Sequence, residues 1–337
     1  MGTAPGKRQS ACGGKLSTSP GASVIVVNFN GAGTIQRCIE SLRSQDVAFE
    51  RVVVDNGSTD GSLEWLRGQP EVRLVEAPGN LGFAGGCNLG MRAARGKHLV
   101  LLNNDAFARP GWLKSLIAAA DSELAAGAIT SKIVYADRPG IIQSVGTLLL
   151  GDGSGGDRGS GEVDRGQYAR REEVFGFCGA AALLRRDALA DAGQFDERFF
   201  MYYEDTDLSW RLRLRGWSVV YEPAAVVDHV HAGSAHEWSP LFTFHVDRNR
   251  LFMLVKNART GLLLRSFASL AWRAVKAPRQ TGPNRPPTDK AAVLRSLMGH
   301  LPGLLWTRIQ IRSRRRTRDA DIERWLVARS QWDARSA

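Results

Sequence analysis

Three acids stand within four residues in FFMYYEDTDLSW, residues 199–210: Glu204, Asp205 and Asp207. Aromatic bulk precedes them. A carboxyl beside aromatic rings loses hydration and gains pKa, which suits it to take a proton from a hydroxyl. An ordinary helix start explains the same residues differently, with Thr206 or Asp207 as the cap and the acids facing the helix dipole. Asn103-Asn104-Asp105 closes an apolar run. Oxygen ligands at a strand end suit Mg2+ or Mn2+ when a diphosphate supplies the remaining ligands. Asn and Asp also favour plain turns. Asp55, in VVVDNGSTDGS, offers acceptors to a nucleobase or ribose, while Asn56-Gly57 is a common turn dipeptide. NLGFAGGCNLG, residues 80–90, puts Asn80 and Gly82 in a glycine-rich loop of the kind that approaches phosphate, yet it is neither GxGxxG nor a Walker A sequence. His229 and His231, in VVDHVHAGS, read as ligands to a metal or diphosphate, or as solvated histidines. On an extended chain the two face opposite ways, so one of them enters a shared site.

These residues need a frame that gathers them. SVIVVNF at 23–29, Val52–Val54, Val72–Val75 and His98–Leu102 are apolar runs of the kind that form buried parallel strands. Helices alternate with them. Thr34 caps one with Ile35, Cys38, Ile39 and Leu42 on one face; another lies around Leu63–Leu66; a third carries Phe83, Cys87 and Met91; Pro110 starts a fourth. Polar residues at the end of each strand predict an α/β sheet with its ligand outside those ends. Further strands are expected at Ala128–Val134 and Ser218–Tyr221, the second stopped by Pro223, and a short helix at Asp187–Ala192. Residues 151–166 hold seven glycines and read as a flexible loop, a lid over the site.

Apolar content of 43% and charged content of 23% fit a folded soluble protein. The net charge of +11 is unevenly spread: residues 236–337 carry 20 Lys+Arg against 7 Asp+Glu, while residues 1–235 carry 25 against 27. This excludes a basic nucleic-acid cleft in the main domain and gives the tail an anionic partner. From Leu262 to Lys276 a helical wheel gathers Leu263, Leu264, Phe267, Leu270, Ala271 and Val275 opposite Arg265, Arg273 and Lys276, with Leu262 as the misfit. Such a helix lies on an anionic membrane surface or packs on the core. IRSRRRTR at 311–318 adds to the basic tail. No apolar run is long enough to span a bilayer. The four cysteines have no CxxC spacing; Cys38 and Cys87 read as reduced core residues, which fits a cytoplasmic protein. We therefore expect a disordered leader at 1–20, an α/β domain at 21–235 and a basic helical region at 236–337.

The order of these blocks resembles the family 2 glycosyltransferases, inverting enzymes of GT-A fold, and within them bacterial rhamnosyltransferases. The resemblance rests on VIVVNFNG (24–31), VVVDNGSTDGS (52–62), NLGFAGGCNLG (80–90), LLNNDAF (101–107), CGAAALLRRDAL (178–189) and GQFDERFFMYYEDTDLSWRLRLRGW (193–217). It implies a Rossmann-like mixed sheet with flanking helices and a helical C-terminal extension. It implies that Asn28, Asn30, Asp55, Asn80, Gly82 and Asn104 serve the nucleotide-sugar. Asp105 and His229 become the ligands of Mg2+ or Mn2+, with His231 the alternative histidine. Asp205 becomes the catalytic base, with Glu204 beside it to tune or orient it. Asn103 stands where the family's DxD motif has its first acid. The family's processive (Q/R)xxRW motif is not found at a fitting place, which implies transfer of one or a few sugars.

The implied enzyme moves a sugar, with dTDP-rhamnose as the donor the resemblance points to, onto a saccharide or polyprenyl-linked acceptor in cell-envelope synthesis. It would work in the cytoplasm or peripherally on the inner face of the membrane. The alternatives are another hexose with a small-molecule or protein acceptor, and a Rossmann oxidoreductase. The last wants GxGxxG after the first strand, and NFNGAG at 28–33 does not supply it.

Overall fold

The structure is a computed structural model that describes residues 20–230, 239–276 and 289–328, with the backbone alone from 269 to 276. Strand β1 (Ala22–Asn28) is buried almost throughout, as a Val/Ile run without alternation must be when both faces are covered. It pairs in parallel with β2 (Glu50–Asp55), which pairs in parallel with β3 (Val72–Glu76). On its other side β1 pairs in parallel with β4 (His98–Asn103). Helices α1 (Ile35–Arg43), α2 (Ser62–Arg67) and α3 (Gly82–Ala93) make the crossovers. Asn28 stands in register with Asp55, and Val27 with Asn103, so three polar strand ends meet at one edge.

The chain continues through β5 (Ala106–Ala108), α4 (Trp112–Ser122), β6 (Ala126–Tyr135), β7 (Ile142–Ser144), β8 (Thr147–Leu150), β9 (Gly155–Asp157), β10 (Glu172–Glu173), β11 (Ala181–Arg185), α5 (Arg186–Ala192), α6 (Glu204–Leu214) and β12 (Ser218–His229). The main sheet runs β10-β12-β6-β11-β4-β1-β2-β3 and is mixed, because β11 is antiparallel to both β4 and β6. That reversal brings the start of β11 to the end of β4. One face of the sheet is covered by α1 and α4, the other by α3, α5 and α6. The basic region then forms α7 (Pro240–Asn257), α8 (Thr260–Lys276), α9 (Lys290–Arg314), α10 (Asp319–Glu323) and β13 (Leu326–Val327). Its apolar residues join Phe175, Phe199, Trp210 and Leu214 of the α/β layer in a third core cluster.

Several local expectations change. Pro223 does not stop the last strand: β12 runs to His229, and its register slips between Glu222 and Val226, where a bulge accommodates the proline. Residues 151–166 are ordered: β9 pairs with β8, which pairs with β13. Thr34 stands at the start of α1 but its hydroxyl donates to Gly31 O (3.4 Å) instead of capping. Helix α4 begins at Trp112 after Gly111, not at Pro110. Neither Thr206 nor Asp207 caps α6, which starts at Glu204 after Tyr203. On α8 Leu263 and Phe267 of the selected arc pack against the third core, but the misfit Leu262 is buried at 1% exposure and Leu264 is 64% exposed, so the docked face is turned partly away from the wheel's arc. Leu270, Ala271, Arg273, Val275 and Lys276 have side chains outside the described residues, as do Cys12, His231 and residues 1–19. Cys38 and Cys87 are buried core residues as expected, and burial pushes both thiols up.

Candidate active site

The glycines of α3 explain how close this helix lies to the sheet. A Cβ on Gly90 would stand 2.4 Å from Ile25 Cγ2 and one on Gly86 2.7 Å from Val27 Cγ1. Much of the glycine-rich run therefore serves helix–sheet packing. Gly82 has φ +70°, and its Cα approaches the Phe200 carbonyl so closely that a Cβ would fall 2.4 Å from the oxygen. Asn56, buried at the end of β2, holds this loop: Nδ2 donates to Asn80 Oδ1 (3.1 Å) and Gly82 O (3.0 Å), and Oδ1 accepts from Leu81 N (3.0 Å).

Asn28 knits the three strand ends. Its Nδ2 donates to Asp55 Oδ1 (3.1 Å), Ser58 Oγ (3.1 Å) and Ser62 Oγ (2.9 Å), and its Oδ1 accepts from Asn104 Nδ2 (3.2 Å). Asp55 Oδ2 accepts from the backbone N–H of Gly57 (3.2 Å) and Ser58 (3.0 Å). Exposed Asn30, at φ 50°, accepts from Thr59 N (2.9 Å).

Outside these ends lies a cleft of about 560 Å³. Of the sequence-derived residues, Asn80, Gly82, Asn104, Asp105, Glu204, Asp205 and His229 line it; Asn28, Asn30 and Asp55 do not, although Asn28 bonds to Asp55 and to Asn104 of the lining. His229 ends β12 beside the end of β4. Its Nε2 is 3.0 Å from Asp105 Oδ1 and 3.2 Å from Asn103 Nδ2, and its Nδ1 is 2.8 Å from Gln143 Oε1. Asn103 Oδ1 is buried with no hydrogen-bond partner. An imidazole nitrogen and a carboxylate oxygen 3.0 Å apart, with the Asn103 amide beside them, form a donor set that fits a hard divalent cation. Among the described residues no cluster of three His, Cys, Asp or Glu could hold a metal, so such an ion would take its other ligands from a diphosphate and water.

The opposite wall is the start of α6. Asp205 Oδ2 accepts from Gly179 N (3.0 Å), delivered there by the start of antiparallel β11, and Oδ1 accepts from Thr206 N (2.6 Å) and Thr206 Oγ1 (3.1 Å). Burial raises the Asp205 pKa, and these donors hold the rise back. Burial, with Asp205 next to it, pushes Glu204 well above the glutamate range, and its Oε2 has no partner. Of the two, Glu204 is held further toward its protonated form, and Asp205, with its three donors, is the better placed to accept a proton. Asp207 turns away from the cleft. Fully buried, it accepts from Arg211 Nε (2.9 Å), Lys256 Nζ (2.8 Å) and Asn257 Nδ2 (2.7 Å).

The loop that leads into these acids is strained. Phe200, Tyr202 and Tyr203 all have positive φ, at 64°, 68° and 69°. Helix α7 holds them. Asn249 Nδ2 lies 2.9 Å from Phe199 O, 2.8 Å from Met201 O and 2.8 Å from Tyr202 O, and Arg248 Nη2 donates to Arg198 O (3.1 Å) and Phe199 O (2.9 Å).

Sequence reasoning did not find Gln143, Asp157 or Asn249. Asp157, on β9, lines the cleft within electrostatic reach of both Asp205 and His229. Burial pushes its pKa up to about 6, against a hydrogen bond from Ser144. The clue in the sequence was an acid inside the glycine-rich stretch. Gln143 and Asn249 left no local clue.

Comparison with known proteins bears on the family. The Glycosyl transferase family 2 model matches residues 23–193. The N-acetylglucosaminyl-diphospho-decaprenol L-rhamnosyltransferase of Mycobacterium tuberculosis is 32% identical over 237 residues, 63% of this chain and 76% of that protein. The pre-mycofactocin glycosyltransferase of the same organism is 26% identical over 73% of this chain and 53% of its own length. The crystal structure of S. aureus TarS 1-349 aligns with 90% of this chain and 89% of its own at a TM-score of 0.52 and 19% identity. That of GalNAc-T7 with UDP, GalNAc and Mn2+ aligns with 81% of this chain and 59% of its own at 0.54 and 14%. At these identities the structures speak for the fold, which is the GT-A arrangement. With its family model, its relative and its fold in agreement, the chain belongs to glycosyl transferase family 2 and is a glycosyltransferase.

Proposed function

We propose that this enzyme is a metal-dependent inverting transferase that moves one sugar, rhamnose first among candidates, from a nucleotide-diphospho-sugar to a saccharide carried on a polyprenyl diphosphate. The observation that carries this reading is one cleft with Asp105 and His229 on one wall and the Asp205 carboxylate on the other. The rhamnosyltransferase relative, named for a diphospho-decaprenol acceptor, supports the choice of sugar and carrier. The GalNAc-T7 complex with Mn2+ supports the choice of ion.

Asp105 Oδ1 and His229 Nε2 would hold the cation beside the Asn103 amide, and Gln143 orients the imidazole through Nδ1. A divalent cation there would neutralise the charge that develops on a departing diphosphate. Asp205 accepts the proton of the acceptor hydroxyl as its oxygen bonds to the anomeric carbon and the bond to the diphosphate breaks on the opposite side. One displacement inverts the anomeric centre. Glu204, whose burial beside Asp205 disfavours ionisation, stands next to the base. Asn28, Asn30, Asp55, Asn80, Gly82 and Asn104 form the side on which the nucleotide binds. The site works at the cytoplasmic face of the membrane that carries the acceptor.

A panel of dTDP- and UDP-sugars, with polyprenyl-linked and free saccharide acceptors, tests this with and without EDTA. Transfer should need Mg2+ or Mn2+. Asp205→Asn should bind donor yet lose transfer by roughly 10²–10⁴. Near-normal transfer by that variant would remove Asp205 as the base.

A further inference from the structure

Helix α9 shows two different apolar faces. Val293, Leu297 and Leu304 point inward and are buried in the third core cluster. Leu294, Met298, Leu305, Trp306 and Ile309 stay 44–64% exposed. At 100° per residue, Leu294, Met298, Leu305 and Ile309 fall within an arc of about 60°, with Trp306 and Arg295 beside it. These five are most of the exposed large apolar side chains among the described residues. A monomeric soluble surface rarely keeps so continuous a stripe without a use.

Charge indicates what covers the stripe. From Lys290 to Arg318 the sequence has eight basic residues and no acid. Five of the eight are engaged within the fold: Arg308 with the carbonyls of Val255 and Ala258, Arg312 and Arg315 with Asp319, Arg316 with Asp191, and Arg318 with Asp321. Lys290, Arg295 and Arg314 remain solvent-facing along and at the ends of the helix, with Arg295 only 3.8 Å from Asp289 as a loose pair. Lys290 and Arg295 flank the apolar strip, Arg314 faces away from it, and no acid lies within it; such a strip matches the boundary between acyl chains and anionic headgroups. A second copy of the chain fits less well, because pairing two such strips sets cation against cation. No helix among the described residues is long and apolar enough to cross a membrane, so contact of this kind lies in the plane of the surface.

We propose that the Leu294–Ile309 face of α9 is a docking surface for an anionic lipid bilayer. Helix α7 lies between α9 and the cleft: it packs on α9, and its Leu241 and Phe242 line the cleft mouth. The proposal deepens the reading of a lipid-carried acceptor, and it is tested by vesicle binding without turnover, so the two can fail separately. It also moves the membrane contact from α8, where the sequence suggested it, to α9.

The test is co-sedimentation of the full chain with phosphatidylcholine vesicles and with vesicles one third phosphatidylglycerol. Wild type should bind the anionic vesicles only, and less as salt rises. The triple variant Met298→Ser, Trp306→Ser, Ile309→Ser should bind roughly tenfold less. Its thermal midpoint and its transfer to a soluble acceptor should match wild type, since none of the three side chains is buried or near the site. Equal sedimentation of the variant and wild type overturns the proposal, as does no binding by wild type. Light scattering that shows a wild-type dimer split by the variant also overturns it and assigns the stripe to a second copy.

Discussion

Asn249→Ala is expected to slow transfer while leaving donor binding in place. The amide has two hydrogens and three carbonyls within 2.8–2.9 Å, so it supplies about two hydrogen bonds' worth of holding energy, roughly 1–3 kcal/mol net. Against this stand three non-glycine residues at positive φ, each costing about 1–3 kcal/mol. Removing the amide therefore cancels the hold on at least one strained residue. Arg248 still grips Arg198 O and Phe199 O, so release should be confined to 201–203, next to Glu204 and Asp205. A displacement near 1 Å at the base costs about 10²-fold in rate. The nucleotide side meets this loop at Phe200, whose carbonyl accepts from Ala84 N (3.0 Å), and not at 201–203, so donor KM should stay within about twofold. Steady-state kcat and donor KM, with nucleotide-induced thermal shift as the binding check, measure both. Unchanged kcat, or kcat and donor binding lost together, would refute the idea that α7 acts by positioning the base.

Three other expectations follow from the same geometry. Because Asp205 must be deprotonated to act and its pKa lies above the ordinary aspartate value of 3.8, kcat/KM should fall on the acid side with a midpoint above that value, a limb that Asp205→Asn removes. Glu204 keeps its proton to a higher pH folded than unfolded, so the stability it contributes is full below the ordinary glutamate value of 4.5 and drains away as pH rises toward its folded value. Glu204→Gln should thus melt near wild type at pH 4 and progressively above it at pH 6–8. Lys256→Met leaves buried Asp207 and Asp196 short of a cation; urea unfolding should show a loss of about 3–5 kcal/mol.

The sequence exposed those parts of the site that break a local pattern. Asn103-Asn104-Asp105 interrupts an apolar run, and Glu204-Asp205 follows aromatics, so both stand out where they lie. His229 was legible for the same reason, although its strand was drawn eight residues short. A proline either ends a strand or occupies a bulge, and only the partner strand decides which; β6 makes it a bulge. Glycine count misled at 151–166, where Gly153, Gly159, Gly161 and Gly166 serve positive-φ turns within ordered chain. Asp207 passed for a helix-start acid because the cations that neutralise it lie 4 and 49 positions along the chain and the Asn257 amide lies 50. Asn249 was invisible because its partners are backbone carbonyls, which carry no residue identity. Position 262 defied the wheel because the face a helix buries is set by what it meets.

The ties across α6 and α7 also set rules for recombining these enzymes. An obvious chimera would join one relative's chain through β12 to another's helices, to exchange acceptor or membrane preference. That junction separates Asp207 from Lys256 and Asn257, and the 199–203 carbonyls from Asn249. The graft would then bring together two halves whose buried charges and amide contacts were never matched. A crossover placed before Phe199, within the turn after α5, moves both halves of each tie as one cassette. Such a cassette carries the base with the α6 and α7 ties, takes His229 along with it, and leaves Gly179 and the polar ends of β1, β2 and β4 behind, so the Gly179–Asp205 and His229–Asp105 contacts are the two that a graft must still match.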